Sequence, residues 1–273
     1  MDATDAPPIL KLGVQDAIAA LALSTEAHWN QTEEDWRIFL RDGIVFGIRD
    51  GARLIATAAL LPYSGNNAWI SMVLVSGTHR RRGLATRLVD ACLETARKNG
   101  LTSWLDATPD GAAVYGPLGF TATLELRRLK LANPEPSSGP TPAAAALEAL
   151  CARDRRATGL DRTALLAAFA RRSGSRIVAA DGAIALVRNG RTARHVGPLF
   201  ADDAAKALAL VGATARSESR PLLLDAVASQ GAFLSGLLAA GWTIERPFQR
   251  MRFGPTTVTA EETPFAVAGP EFG

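Results

Sequence analysis

Trp69-Ile70-Ser71-Met72-Val73-Leu74-Val75-Ser76-Gly77-Thr78-His79-Arg80-Arg81-Arg82-Gly83-Leu84-Ala85-Thr86-Arg87-Leu88 joins an apolar run to an amphipathic one across a short basic loop. Residues 70–75 are apolar and rich in β-branching, which predicts a buried strand. After a short polar loop, Leu84, Leu88, Ala91, Cys92 and Thr95 fall on one stripe of a helix, with Arg87, Asp90, Glu94 and Lys98 opposite. The joint between strand and helix carries the pattern Arg80-x-x-Gly83-x-Ala85. A helix N-terminus presents unpaired N–H groups and a partial positive charge, so it holds phosphate. Gly83 and Ala85 have little or no side chain, so a bulky anion can reach those amides. A plain tight turn is the alternative for a single glycine loop. The Gly-Lys-Ser/Thr of nucleotide triphosphatases and the Gly-x-Gly-x-x-Gly of dinucleotide folds are both missing here.

A second motif, Tyr115-Gly116-Pro117-Leu118-Gly119-Phe120, follows a further strand-like run over residues 103–107. Strand, Arg-x-x-Gly-x-Ala, helix, strand and Tyr-x-x-x-Gly-Phe, in that order, resemble the acetyl-CoA-binding core of the GNAT superfamily of N-acetyltransferases. Asn30-Gln31-Thr32-Glu33-Glu34-Asp35-Trp36 and Leu105-Asp106-Ala107-Thr108-Pro109 resemble a two-domain bacterial subgroup with a diverged acetyltransferase-like second half. The resemblance implies an α/β (α+β) fold of tandem GNAT-like domains. Each is expected to be a mixed, mostly antiparallel central sheet flanked by helices.

Outward from the core, residues 9–12 read as a first strand and 14–23 as a helix. Thr32, with Asp35 three positions on, marks a helix start close to a capping box, and Trp36, Phe39 and Leu40 form its buried face. Residues 43–49 and 53–61 flank Asp50-Gly51 and read as a hairpin. Residues 111–118 read as a helix and 121–131 as a final pair of strands. Asn133-Pro134-Glu135-Pro136-Ser137-Ser138-Gly139-Pro140-Thr141-Pro142 is a stiff polar linker without means of burying a core. Domains are therefore expected at 1–132 and 143–255, with 133–142 between them. Residues 256–273, which lack periodicity, read as a tail that is disordered or lies along a surface.

The second half repeats the first in faded form. Leu224-Asp225-Ala226-Val227 echoes Leu105-Asp106-Ala107-Thr108, and Leu237-x-x-x-Gly241-Trp242 echoes the tyrosine motif. At the place of the phosphate loop stand Asp202 and Asp203, which suit capping and repel a polyphosphate. This half is expected to bind no cofactor.

Composition excludes several classes. At 273 residues the chain accommodates two ordinary domains, and 48% hydrophobic content is normal for globular proteins. Residues 1–8 do not resemble a signal peptide, and no apolar run has membrane-spanning length. Cys92 and Cys151 make no disulfide framework, so a cytoplasmic location is expected, with Cys92 a small core residue. A net charge of +3 falls short of a nucleic-acid-binding face. His28, His79 and His195 have no metal-ligand spacing, and no metal is expected.

The resemblance assigns the cofactor, acetyl-CoA as acyl donor, to Arg80, Arg81, Arg82, Gly83, Leu84, Ala85 and Thr86. Loop amides would hold the pyrophosphate and the arginines would neutralise CoA phosphates. Main-chain groups at Val73 and Val75 would pair with the pantetheine arm as with another strand. An amide near Val73 or Leu74 would polarise the thioester carbonyl. Tyr115 stands where the family's general acid for the thiolate lies, with ordinary helix packing as the alternative. The family's frequent strand glutamate is absent, since Ile70-Ser71-Met72 occupies that region. Asp106 is then either a base for the amine or a turn aspartate before Pro109. His28, Trp29, Asn30 and Gln31 lie on the segment that walls the family's acceptor site.

With no nucleophile in the motifs, direct transfer of acetyl to a primary amine of a small molecule is expected. Acetylation of a peptide or protein amine, and a non-enzymatic CoA-responsive binding module, are the alternatives. A monomer or homodimer is expected.

Overall fold

The computed structural model describes residues 7–255 and 258–273. Most of the leader reading at 1–8, and Thr256 and Thr257 of the tail, lie outside the described residues. The chain forms two compact units, which meet between Trp104 and Leu105.

In unit 1 the strands lie in the order β1-β2-β3-β4-β5. β1 (Leu10–Leu12), β2 (Ile44–Asp50), β3 (Arg53–Tyr63) and β4 (Asn67–Val75) are antiparallel neighbours. β5 (Thr102–Ala107) joins β4 in parallel through Asn67↔Thr102, Ala68↔Ser103 and Trp69↔Trp104. The β2–β3 hairpin forms where the sequence predicts it, but its two turn residues are Gly51, at φ +55°, and Ala52, while Asp50 ends β2 opposite Arg53. The helices are α1 (Ala17–Glu26), entered through a 3-10 turn at Val14–Asp16, α2 (Glu33–Asp42) and α3 (Leu84–Lys98). The α2 capping box is present: Asp35 N–H donates to Thr32 Oγ1 (3.3 Å) and Thr32 N–H to Asp35 Oδ2 (2.8 Å). Trp36, Phe39 and Leu40 are buried, and Trp36 Nε1–H donates to Ser24 Oγ at 3.1 Å, tying α2 to α1. On α3, Leu84, Leu88 and Cys92 are buried as expected, with Val89, Leu93 and Ala96, while Ala91 and Thr95 are half-buried. Burial pushes the Cys92 thiol up to about 12, which suits a core residue.

Unit 2 takes the last three residues of β5 and continues in the order β12-β6-β11-β10-β9-β8-β7. These are β6 (Thr121–Leu131), β7 (Ala143–Ala144), β8 (Arg176–Ala180), β9 (Ala183–Asn189), β10 (Arg194–Ala201), β11 (Leu222–Val227) and β12 (Thr243–Phe253). Its helices are α4 (Pro109–Tyr115), α5 (Leu147–Thr158), α6 (Thr163–Ala170), α7 (Ala204–Arg216) and α8 (Gly231–Ala239). Residues 111–118 are thus the end of α4 and a 3-10 turn, Gly116–Leu118. Residues 121–131 form one strand of 11 residues, where the sequence suggested two.

That strand also explains why the compact units divide before the linker. β6 pairs antiparallel with β11 along one edge (Leu222↔Leu131 to Val227↔Leu126) and with β12 along the other. A strand is bound by whichever ladder its backbone completes, and both of these ladders come from the second half of the chain. Residues 132–142 are mostly exposed and carry no helix or strand.

The tail is the larger departure. Phe265, Ala266, Val267, Ala268 and Phe272 are buried, and Phe265 and Ala266 pack with Leu199, Leu224 and Phe233 in the core of unit 2. Lack of periodicity hides such a segment, because a single inserted strand-like run need not alternate.

Candidate functional site

In unit 1, β4 departs from a regular strand where it approaches the loop. Ala59 faces Ser71 and Thr57 faces Leu74, so Ala58 opposes both Met72 and Val73 in a bulge. Met72 sits at φ +52°, and Thr57 Oγ1–H donates to its carbonyl at 2.9 Å, holding the kink. Ser76 N–H donates to Ile55 O at 2.8 Å, so by strand alternation Leu74 also faces β3. The N–H and C=O groups of Val73 and Val75 therefore point to the other edge. Within this unit the pairing with β5 has ended there, at Trp69↔Trp104.

The loop then turns through a 3-10 segment, Gly77–His79, and enters α3 at Gly83. Gly83 has φ +72°, in the left-handed region that favours glycine, and a Cβ there would meet nothing within 4 Å. The first helical bond runs from Arg87 N–H to Gly83 O, so the amides of Leu84, Ala85 and Thr86 have no acceptor within the helix. This is a ready seat for an anion at the opening of a cleft.

That cleft, about 440 Å³, is lined by Val73, Leu74 and Val75 of β4, by His79, Arg80, Arg81, Gly83, Leu84, Ala85 and Thr86 of the loop and helix, and by Ala27 and Trp29. Nine of the ten residues that the sequence reading assigns to acetyl-CoA line this one cleft. Arg82 does not; it is exposed and its Nη2 donates to Thr78 O at 3.1 Å. Arg80 Nε donates to Val75 O at 3.3 Å, folding its guanidinium back over the end of β4.

Of the four acceptor-wall residues, Trp29 alone lines the cleft. His28 is exposed, at φ +58°. Asn30 and Gln31 are only 9% and 4% exposed and so are not a polar wall open to an acceptor. The tight end of α1, with His28 N–H on Thr25 O and Trp29 N–H on Ser24 O, turns Trp29 toward the cleft and the next two residues inward.

Another residue of the segment that resemblance places beside the acceptor anchors the loop instead. Glu26, at the end of α1, accepts Gly77 N–H at 2.6 Å and the Ser76 hydroxyl at 3.2 Å on Oε1. Arg53 Nη2 reaches its Oε2 at 3.3 Å. The Gly77 N–H, with help from Ser76, Arg53 and Arg80, holds its carboxyl below the ordinary 4.5. Gly77 lies 51 positions further along the chain, and no local pattern announces that contact.

Tyr115 and Asp106 belong to unit 2. Tyr115 closes α4, whose N-terminus is capped by Thr108 and pre-shaped by Pro109. Its ring is half-buried, 5.8 Å from that of Phe120, which lies 5.6 Å from Phe253. Gly119 has φ +96°, and a Cβ there would stand 3.2 Å from the Phe253 ring, which accounts for the motif's glycine. The Asp106 side chain is fully buried, with Arg250 Nε on Oδ1 and Nη2 on Oδ2, each at 2.8 Å. Burial pushes this carboxyl up, against the pull of Arg250. Two oxygens clamped by one guanidinium are poorly placed to take a proton from an amine, and Asp106 is not a turn aspartate either, since it lies within β5 and Thr108 caps α4.

At the equivalent helix start in unit 2, Asp203 Oδ1 caps α7 by accepting Lys206 N–H at 2.9 Å, and Asp202 pairs with Lys206. An acid occupies the place an anion would take. Among the described residues, no three His, Cys, Asp or Glu side chains are grouped to hold a metal, and no helix is long and apolar enough to cross a membrane.

Residues 15–120 match the family model of the acetyltransferase (GNAT) family, and residues 150–266 that of an acetyltransferase (GNAT) domain. The chain is 24% identical over 254 residues to an uncharacterized N-acetyltransferase, YitH, of Bacillus subtilis (strain 168), covering 89% of each. A putative acetyltransferase from Pyrococcus horikoshii shares the fold, with a TM-score of 0.81 at 18% identity over 99% of this chain and 97% of its own. So does a tandem GNAT protein from the clavulanic acid biosynthesis pathway, with a TM-score of 0.62 at 16% identity over 92% and 100%.

Proposed function

Since the chain belongs to the GNAT acetyltransferase family and carries two of its domains, we propose that unit 1 binds acetyl-CoA and directs its acetyl group to a primary amine of a small molecule. The observation that carries this is the single cleft joining the open β4 edge, the free amides of α3 and two arginines. The residues present fit the donor. Gly83 to Thr86 offer N–H groups to a pyrophosphate, and Arg80 and Arg81 offer charge to phosphate. Val73 and Val75 offer backbone to the two amides of pantetheine. Bound acetyl-CoA supplies an activated thioester and a thiol leaving group of ordinary pKa about 8.5. The Val73 amide faces the side on which that carbonyl would lie and can stabilise the oxyanion.

Tyr115 is the acid in this reading, by family resemblance. Among the described residues no carboxylate lines the cleft, so in this reading the proton lost by the amine passes to solvent, and a basic peptide tail finds no counter-charge from them. Trp29 supplies an apolar wall suited to a compact acceptor. A peptide amine is the second reading, and a CoA-responsive module without turnover the third.

Isothermal titration with acetyl-CoA, followed by thiol-release assays on a panel of amino acids, amino sugars, simple amines and lysine peptides, tests the proposal. One site per chain is expected, weakened by Gly83→Val, together with turnover on a small amine that falls about 10²–10⁴-fold or less in Tyr115→Phe. No binding sinks the assignment, and turnover restricted to peptides moves the second reading forward.

A further inference from the structure

Unit 2 repeats the strand layout that makes the cofactor edge of unit 1. There β4 runs parallel to β5 for three registered pairs and bulges against β3. In unit 2, β10 runs parallel to β11 through Arg194↔Leu222 and His195↔Leu223, then bulges against β9 between Val196 and Leu199. Past the bulge each strand turns alternate N–H and C=O groups away from its antiparallel neighbour. In unit 1 those groups belong to Val73 and Val75. In unit 2 they belong to Leu199 and Ala201: Ala201 O accepts Arg153 Nη2–H at 3.1 Å, as Val75 O accepts Arg80 Nε–H, but both groups of Leu199 are taken by main chain.

The taker is the tail. Residues 265–267 run antiparallel to both walls, bridging Leu199↔Ala266 and Ala226↔Ala266. Leu199 N–H donates to Ala266 O at 2.9 Å, and Leu199 O accepts Phe265 N–H at 2.9 Å. Opposite, Val227 N–H donates to Phe265 O at 3.1 Å and Val267 N–H to Asp225 O at 3.0 Å. Phe265, Ala266 and Val267 are buried, and the Phe265 ring lies edge-on to Phe233 of α8 at 5.3 Å. Asp203 caps α7 nearby in sequence, where a pyrophosphate would need free amides.

We propose that residues 265–267 are a built-in substitute for the pantetheine arm. They fill the slot of unit 2, so that a chain with two GNAT domains has one acyl-CoA site. This rests on the reading that the Val73–Val75 edge of unit 1 takes pantetheine. A peptide segment can play the part because pantetheine is itself a chain of amides, whose value to a strand edge is its N–H and C=O groups. It prevails because it is tethered: its effective concentration is of the order of millimolar, before the buried Phe265 adds to its hold.

Hydrogen exchange of the full-length protein, with and without saturating acetyl-CoA, combined with titration stoichiometry, decides this. The expected result is protection of the Leu199, Val227 and Val267 amides comparable to that of the β9–β10 ladder, unchanged by acetyl-CoA, with one site per chain. In Phe265→Ala, exchange at Leu199 and Val227 should rise about a hundredfold or more relative to β9 amides. A parallel rise across β9 would mean that the tail only supports the core, and would overturn the substitution. So would two acetyl-CoA sites, or deprotection of Val227 on adding acetyl-CoA. Failure of acetyl-CoA to bind at all overturns the unit 1 reading as well, which two sites would leave standing.

Discussion

Glu26→Ala removes the carboxylate that holds the entry of the phosphate loop to the end of α1. The loss is a charge-assisted bond from Gly77 N–H at 2.6 Å, a weaker one from Ser76 at 3.2 Å and a long ion pair with Arg53 at 3.3 Å. A buried charge-assisted bond contributes about 1.5–3 kcal/mol. The Glu26 side chain is 38% exposed, so solvent screening reduces this to about 1 kcal/mol for the fold. The larger effect falls on binding. Released in the free protein, Ser76 and Gly77 must be reordered by the ligand, at about 1–2 kcal/mol each if both become fully mobile. Removing a negative charge close to Arg80 works the other way, by about 0.5 kcal/mol at an exposed site. The balance, about 1.5–3.5 kcal/mol, is a Kd for acetyl-CoA raised about 10- to 400-fold.

Glu26→Gln keeps an acceptor for Gly77 N–H and drops the charge, so its Kd should stay within about threefold of the wild type. Titration calorimetry on the three proteins, with melting curves as control, makes the comparison. The sign with pH follows from the lowered carboxyl. Its contribution to stability is present above the ordinary 4.5 and is lost as pH falls through its lower folded value. A wild-type Kd in Glu26→Ala, or an equal loss in Glu26→Gln, refutes the loop-anchoring argument.

Two further predictions concern unit 2. Asp106→Ala strands the Arg250 guanidinium, 12% exposed, without its carboxylate and should cost about 3–5 kcal/mol in urea unfolding, whereas Asp106→Leu/Arg250→Met together should recover most of that. Turnover retained by the double variant supports an anchoring Asp106; turnover abolished at wild-type stability restores it as the base. His195 is buried with Nε2 3.0 Å from Asp225, which Arg128 also grips, and burial, with the charge of Arg188, pushes it down to about 4. Its neutral form therefore adds stability above its unfolded value of 6.5, which is lost as pH falls toward 4. The urea midpoint should drop across that window, and His195→Gln should flatten the drop; an unchanged slope would show that His195 does not carry it.

Features that depend on neighbours a few positions apart are legible in the chain alone. Thr32 and Asp35 reach each other across one helical turn, Gly51 with Ala52 closes a two-residue hairpin, and Gly83 takes up the backbone angle on which the strand-to-helix joint depends. Once that joint exists, residues 73–75 and 80–86 flank it closely in the chain, and nine of these ten line one cleft. Partners that lie far along the chain are fixed by folding. Glu26 and Gly77, Asp106 and Arg250, β6 and its two ladders, and the tail beside Leu199 are joined by ladder hydrogen bonds and charge pairs. A strand's alternation says which face is buried and not which edge it completes, and a lone carboxylate in sequence is equally a base or an anchor. The open edge of unit 1 and the filled one of unit 2 differ for that reason: whether a backbone groove meets a cofactor or its own chain is settled by which segment folds into it.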